Sequence, residues 1–161
     1  MKFTISTIIL LFLCNVIFSQ EVGSKYQGGI VVAPGIILNP SKDYINPKFS
    51  SNLFTYEEAV LKCKSLNTNG YNDWQVPSIV DLQNIHRYAE DNREWGGYPS
   101  PITPGFDYIS SSTKKSDDWF QQKRYRYFYN MLSNVKKLNA SQMELRPLDY
   151  KGKLIAVRYF R

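Results

Sequence analysis

The segment WFQQKRYRYFY at 119–129 holds the densest set of side chains able to bind an anion. In extended backbone, successive side chains point to opposite sides. Trp119, Lys123, Tyr125, Tyr127 and Tyr129 therefore share one face, and Phe120, Arg124, Arg126 and Phe128 the other. Guanidinium forks hold sulfate or carboxylate through paired hydrogen bonds, and aromatic rings stack on sugar faces. Lys123, Arg124, Tyr125, Arg126 and Tyr127 are thus candidate ligands for an acidic sugar. The same pattern also suits a mixed sheet strand whose tyrosines pack and whose arginines reach out to water. Trp95 and Tyr98, in the Gly/Pro-rich stretch 91–107, form a second candidate. Aromatics on such loops serve as binding platforms, and equally as lids over a small core.

Catalytic and metal chemistry find less to work with. Nucleophilic catalysis needs a base beside the nucleophile, usually histidine. The chain has one histidine, His86, on an expected helix with no partner spaced to orient it. Cys63 falls on the apolar face of another expected helix, where a thiolate is disfavoured. Asp73, Glu94, Asp117 and Asp118 could pair as carboxylates for glycoside hydrolysis, but no motif joins them. No His/Cys cluster suits zinc, and two adjacent acids in a lysine-flanked turn supply little of what calcium needs. A non-enzymatic protein with no cofactor and no metal site is expected.

Charge and hydropathy set the setting. Residues 21–113 carry 7 Lys/Arg against 10 Asp/Glu, whereas 114–161 carry 12 against 4. A basic C-terminal third suits a polyanion: an acidic or sulfated glycan, lipopolysaccharide or nucleic acid. A solvated basic surface with no ligand would read the same way. Residues 1–19 read as a secretion signal, with Lys2 followed by an apolar stretch from Ile8 to Phe18 and the small Ser19 at the cleavage point. Residues 20–161 then form one domain, with no further membrane span. Cleavage removes Cys14 and leaves Cys63 without an intrachain partner, so the core must carry the fold, helped by an aromatic content of 15%.

The positioning elements can be read in order. Tyr26–Val32 reads as a first strand, with Gly28 and Gly29 permitting a bulge or close backbone approach. The proline-bearing stretch 33–53 reads as loop. Thr55 and Glu58 form a capping box opening a helix with Ala59, Cys63 and Leu66 on one face. Asn67–Gly70 should end it through left-handed backbone. Ser78 should cap a second helix at Asp81, with Ile79, Leu82, Ile85 or His86, and Ala89 inward and an end near Glu90. Strands are expected at Tyr108–Ser112, Trp119–Met131 and Leu154–Phe160, and 132–148 is ambiguous. Within NGYNDWQVPS (Asn69–Ser78), Gly70 turns the chain, Trp74 plugs the core beside the two helices, Pro77 sets the start of the second helix and Ser78 caps it. Arg158, in an apolar strand, needs a carboxylate or carbonyl partner if buried, and Asp73 is one choice.

These residues resemble a bacterial extracellular domain family, that of the C-terminal domain of Legionella collagen-like adhesins. It overlaps the Fibrobacter-type major paralogous domain common in secreted Bacteroidetes proteins. The resemblance rests on a YQGGI-like strand (Tyr26–Ile30) and a helix with Cys63. The NGY-DW-LPS motif (Asn69–Ser78), a YWSS-like strand (Tyr108–Ser111), a strand near Trp119 and a VRAVRAF-like end (Leu154–Phe160) follow in order. Ile109 and Ile155 depart from the family's tryptophan and first arginine. The resemblance implies an α+β, C-type-lectin-like fold, two helices on a twisted, mainly antiparallel sheet with long loops. It also implies adhesion or ligand binding, with sulfated polysaccharides bound in one branch. The expectation is a secreted or cell-surface binding domain for acidic or sulfated glycans. The alternative is a structural or protein-interaction module of the envelope. The partner is then a polyanionic glycan or an envelope or extracellular protein, and nucleic acid is not expected.

Overall fold

The computed structural model describes residues 20–39, 53–93, 102, 105–113, 125–131 and 142–160. Among these residues, two antiparallel sheets and two helices make an α+β domain. The first sheet has the order β1 (Lys25–Tyr26), β2 (Gly29–Ala33), β3 (Ile36–Leu38), β7 (Val157–Tyr159). The second has the order β4 (Asp107–Ile109), β5 (Tyr125–Asn130), β6 (Met143–Pro147). Helix α1 spans Tyr56–Ser65 and α2 spans Ile79–Asp91.

Strand alternation sends side chains into two separate cores. Ile36, Leu38, Tyr108, Tyr129 and Val157 join one core, with Leu82, Ile85 and Ala89 of α2. Ile37, Ile109, Phe128 and Ala156 join the other, with Ala59 and Cys63 of α1 and Leu66 just after it. Each helix therefore covers one face. A strand buried on both faces reads as an unbroken apolar run, as IIL does in β3, because no position looks at water. The segment Gly152–Tyr159 ties the parts together: Gly152 bridges Phe54, Lys153 lies parallel to Tyr108, and Val157 pairs with both Leu38 and Gln75.

Both helix starts form as expected. The Thr55 amide donates to Glu58 Oε2 at 2.7 Å, and the Glu58 amide to Thr55 Oγ1 at 3.3 Å. At α2 the Ser78 amide donates to Asp81 Oδ2 at 2.7 Å, and the Asp81 amide to Ser78 Oγ at 3.2 Å. Each reciprocal pair satisfies two otherwise orphaned donors.

Four expectations need correction. Tyr26–Val32 is a hairpin, not one strand, because Gln27 (φ 44°) and Gly28 (φ 82°) turn the chain between Tyr26 and Gly29. The stretch 33–53 contains β3, which Pro34 and Gly35 precede as a turn rather than abolish. Asn69 (φ 54°) and Gly70 (φ 82°) are left-handed, but they do not cap α1, which ends at Leu66 in extended backbone. They form a second tight turn, closed by reciprocal hydrogen bonds between Thr68 and Tyr71. Trp74 packs with α1 alone. The run from Asn69 to Ser78 carries the chain from one face of the sheet to the other, past the β7 edge where Gln75 pairs with Val157.

The two turns share the type I′ signature of positive φ at both central residues, and they touch. A Cβ on Gly28 would lie 3.0 Å from both Thr68 O and Tyr71 Cδ2. Arg158, 7% exposed, joins them. Its Nη1 donates to Gln27 O at 3.0 Å and Gln27 Oε1 at 3.2 Å. Its Nη2 donates to Asp73 Oδ2 at 3.0 Å. Nε sits 2.8 Å from Asp73 Oδ1, a charge contact rather than a directed hydrogen bond. The guanidinium carbon lies 3.8 Å from the centre of the Tyr71 ring. The expected Asp73 partner is thus found, together with two acceptors from Gln27.

Lysine cannot present a planar fork to three acceptors while stacking on a ring. Arg158→Lys should lower the unfolding free energy by about 1–3 kcal/mol, checked by urea denaturation. A change within a few tenths of a kcal/mol would show that the fork is dispensable.

Candidate anion-binding site

β5 and β6 pair in a register that sets Arg126 directly opposite Arg146, so both side chains leave the same face. Like charges so placed repel each other. Each guanidinium instead lies on a tyrosine ring: Arg126 is 4.5 Å from the centre of Tyr56, and Arg146 is 4.9 Å from that of Tyr150. Arg146 also pairs with Glu144, half-exposed in water. Arg126 has no carboxylate partner among the described residues. The Nε atoms of both arginines are buried and have no hydrogen-bond acceptor among the described residues.

The platform is rigid. Tyr56 occupies the first turn of α1, directly after the Thr55 cap. Tyr150 donates its hydroxyl to Asp107 Oδ2 at 2.6 Å, and Asn130 Nδ2 donates to Asp107 Oδ1 at 2.7 Å. The hydrogen bond to Asp107 holds the Tyr150 hydroxyl above the usual tyrosine pKa, so it stays a donor. Phe128 meets the Tyr150 ring edge-on, with centroids 4.9 Å apart. Two guanidiniums held on tyrosine rings on one sheet face make a basic pair whose outer Nη edges could meet an anion.

Of the residues expected from sequence, Arg126 belongs to this site. Tyr125 is exposed and lies on the opposite face of β5, paired with Pro147. Tyr127 is half-buried and packs on the α2-side core. Lys123, Arg124, Trp95 and Tyr98 lie outside the described residues. Gly70 lies in the Thr68–Tyr71 turn, Ser78 caps α2, Pro77 O accepts from the Ser111 amide, Arg158 pairs with Asp73, and Trp74 Nε1 donates to Tyr71 O at 2.8 Å. Sequence reading missed Arg146, Tyr150 and Tyr56. The signal was the alternation in MELRP, which marks β6, but pairing register is not written in local sequence.

Of the groups considered for catalysis, Cys63 and His86 are enclosed, Asp73 is half-exposed and paired with Arg158, and Glu94, Asp117 and Asp118 lie outside the described residues. The Cys63 thiol is 1% exposed, and burial pushes its pKa up to about 12. His86 is fully buried, with Nδ1 3.0 Å from the Tyr129 hydroxyl, which donates to Gln142 Oε1 at 3.2 Å. Nε2 of His86 lies 3.5 Å from Glu90 Oε1, one turn on. Among the described residues there is no group of three or more side chains able to hold a metal ion, and no helix long and apolar enough to cross a membrane.

Two helices, two antiparallel sheets and two opposed cores define an α+β domain. The chain belongs to the Lcl C-terminal domain family, whose match spans residues 38–148, from β3 through both helices to the end of β6. That family is extracellular or surface-associated. No curated protein matches the chain.

Burial pushes the Tyr129 hydroxyl up to about 12. Tyr159 is also raised, by burial and then by its hydrogen bond to Asp81. Unfolded tyrosine titrates near pH ~10. Above that, the unfolded chain sheds protons that the folded chain keeps, so stability is full below about pH 10 and falls as pH rises. Chemical denaturation across that range should show the decline. Tyr129→Phe should make it shallower, and adding Tyr159→Phe shallower still; an unchanged slope in the double variant would contradict the assignment.

Proposed function

We propose that the domain is a non-catalytic, exported binding module for acidic or sulfated glycans. The observation that carries this is the cross-strand pair Arg126–Arg146, two stacked guanidiniums whose buried Nε donors lack acceptors. An unmet buried donor costs about 1–3 kcal/mol, and opposed like charges add to that. A sulfate or carboxylate at the outer Nη edges of the two would relieve the repulsion. Lys123 and Arg124 precede β5 directly in sequence and extend the basic run, in keeping with a polymer rather than a single ion. The enclosed Cys63 and His86 support a binding role over a catalytic one. Export through residues 1–19 accords with the family's surface association. A C-type-lectin-like reading of the architecture draws support from the pairing of the last strand with an early one, β7 with β3.

Arg126→Gln and Arg146→Gln should each weaken binding to immobilised heparin by about tenfold. Wild-type binding should fall steeply as salt rises, because screening weakens charge attraction between exposed partners. Thermal melting of either variant should hold or improve, since the repulsion is removed. Unchanged heparin binding in the double variant would overturn the proposal, as would a failure of the wild type to bind at low salt.

A further inference from the structure

A cleft of about 230 Å³ lies between one side of α1, lined by Tyr56, Val60, Cys63 and Lys64, and the edge formed by Gln75 and Tyr159 of β7. Its floor is Trp74, fixed by its hydrogen bond to Tyr71 O. Two tyrosines wall it. Tyr56 is the ring that also carries Arg126, so the cleft adjoins the arginine pair through a shared wall. Tyr159 is 43% exposed, yet its hydroxyl donates to the buried Asp81 Oδ2 at 2.6 Å. Both rings are thus held in place before any ligand arrives, and little ordering cost remains for binding.

The rim carries Lys64, Gln75 and Ser111. The backbones of Gln75 and Ser111 are engaged, with Gln75 paired to Val157 and the Ser111 amide donating to Pro77 O at 2.8 Å. Their side chains have no hydrogen-bond partner among the described residues. Lys64 is the single charged side chain of the lining, and the Asp81 carboxylate behind Tyr159 is already taken by Tyr159 and the Ser78 amide. The cleft is smaller than a drug-sized pocket and joins aromatic walls to a few convergent polar groups. A purely apolar ligand would strand the amide and hydroxyl unpaired. A pyranose ring would lay its apolar face on tyrosine and offer hydroxyls to Gln75 and Ser111, and a ring carboxylate would meet Lys64.

We infer that this cleft is a single-ring subsite for a hexuronate, next to the Arg126–Arg146 anion site. The inference rests on the glycan reading and assigns the ring position within it. Titration of the isotope-labelled protein with methyl glucuronide and with methyl glucoside, followed by amide NMR, tests it. The uronide should give saturable shifts at Gln75 and Ser111, and the neutral glucoside should bind about fivefold more weakly. Lys64→Ala should erase that preference without removing the shifts. Absence of saturable shifts in the cleft, or a preference that survives Lys64→Ala, overturns the inference. Arg-dependent heparin binding alongside a silent cleft would sink the subsite and leave the glycan reading standing. A cleft that saturates while heparin is ignored would support the subsite and remove the arginine pair's role.

Discussion

Arg158 brings together three stretches of chain that are remote in sequence: the Gln27–Gly28 turn, the Asp73 segment after α1, and the final strand β7. Its charge is tolerable in a nearly closed site because every face of the guanidinium is used. A carboxylate lies on one edge, a carbonyl and an amide oxygen on another, and an aromatic ring beneath. Gln27 adopts a left-handed conformation that costs a residue with a Cβ about 1–2 kcal/mol, and the double hydrogen bond from Arg158 offsets that cost. Because the same guanidinium holds Asp73 beside β7, it fixes where the chain leaves α1 and crosses to α2. The division into two cores depends on that crossing.

The crossing explains the composition of the run Asn69–Ser78. Gly70 and Asn69 supply the turn, Trp74 and Val76 fill the α1-side core, Gln75 pairs with Val157 at the sheet edge, and Ile79 is already in the α2-side core. Ser78 and Asp81 then start α2 with a closed capping box. Asp81 does two tasks with one oxygen, accepting from the Ser78 amide and from the Tyr159 hydroxyl. The start of the second helix is thereby attached to the last strand of the chain.

What was legible in the sequence was local. The capping boxes at Thr55 and Ser78 depend on residues three apart, and both were readable, as was the inward face of α2. The Asp73–Arg158 pair was readable for another reason: a lone arginine in an apolar strand restricts its partners. The hairpin at Gln27–Gly28 was missed because glutamine gives no turn signal, and its left-handed backbone is sustained by Arg158, far along the chain. The role of Asn69–Gly70 was misassigned because left-handed residues serve helix caps and hairpins alike, and only the return of Tyr71 to Thr68 distinguishes them. The candidate site was half legible. Arg126 was found from its aromatic, basic strand, but facing it with Arg146 requires the β5–β6 register, which no local pattern encodes.

The two roles of arginine in this domain differ in what surrounds the guanidinium. Arg158 donates through both Nη atoms and holds its Nε against the Asp73 carboxylate, whereas the described residues offer the Nε atoms of Arg126 and Arg146 neither a hydrogen-bond acceptor nor a carboxylate contact. That contrast is the central claim, and arginine side-chain NMR reads it directly. On titration with a sulfated oligosaccharide, the Nε–H signals of Arg126 and Arg146 should shift together and saturate, and that of Arg158 should stay in place. If the Arg126 and Arg146 signals do not move, or if Arg158 moves with them, the pair is not the anion site.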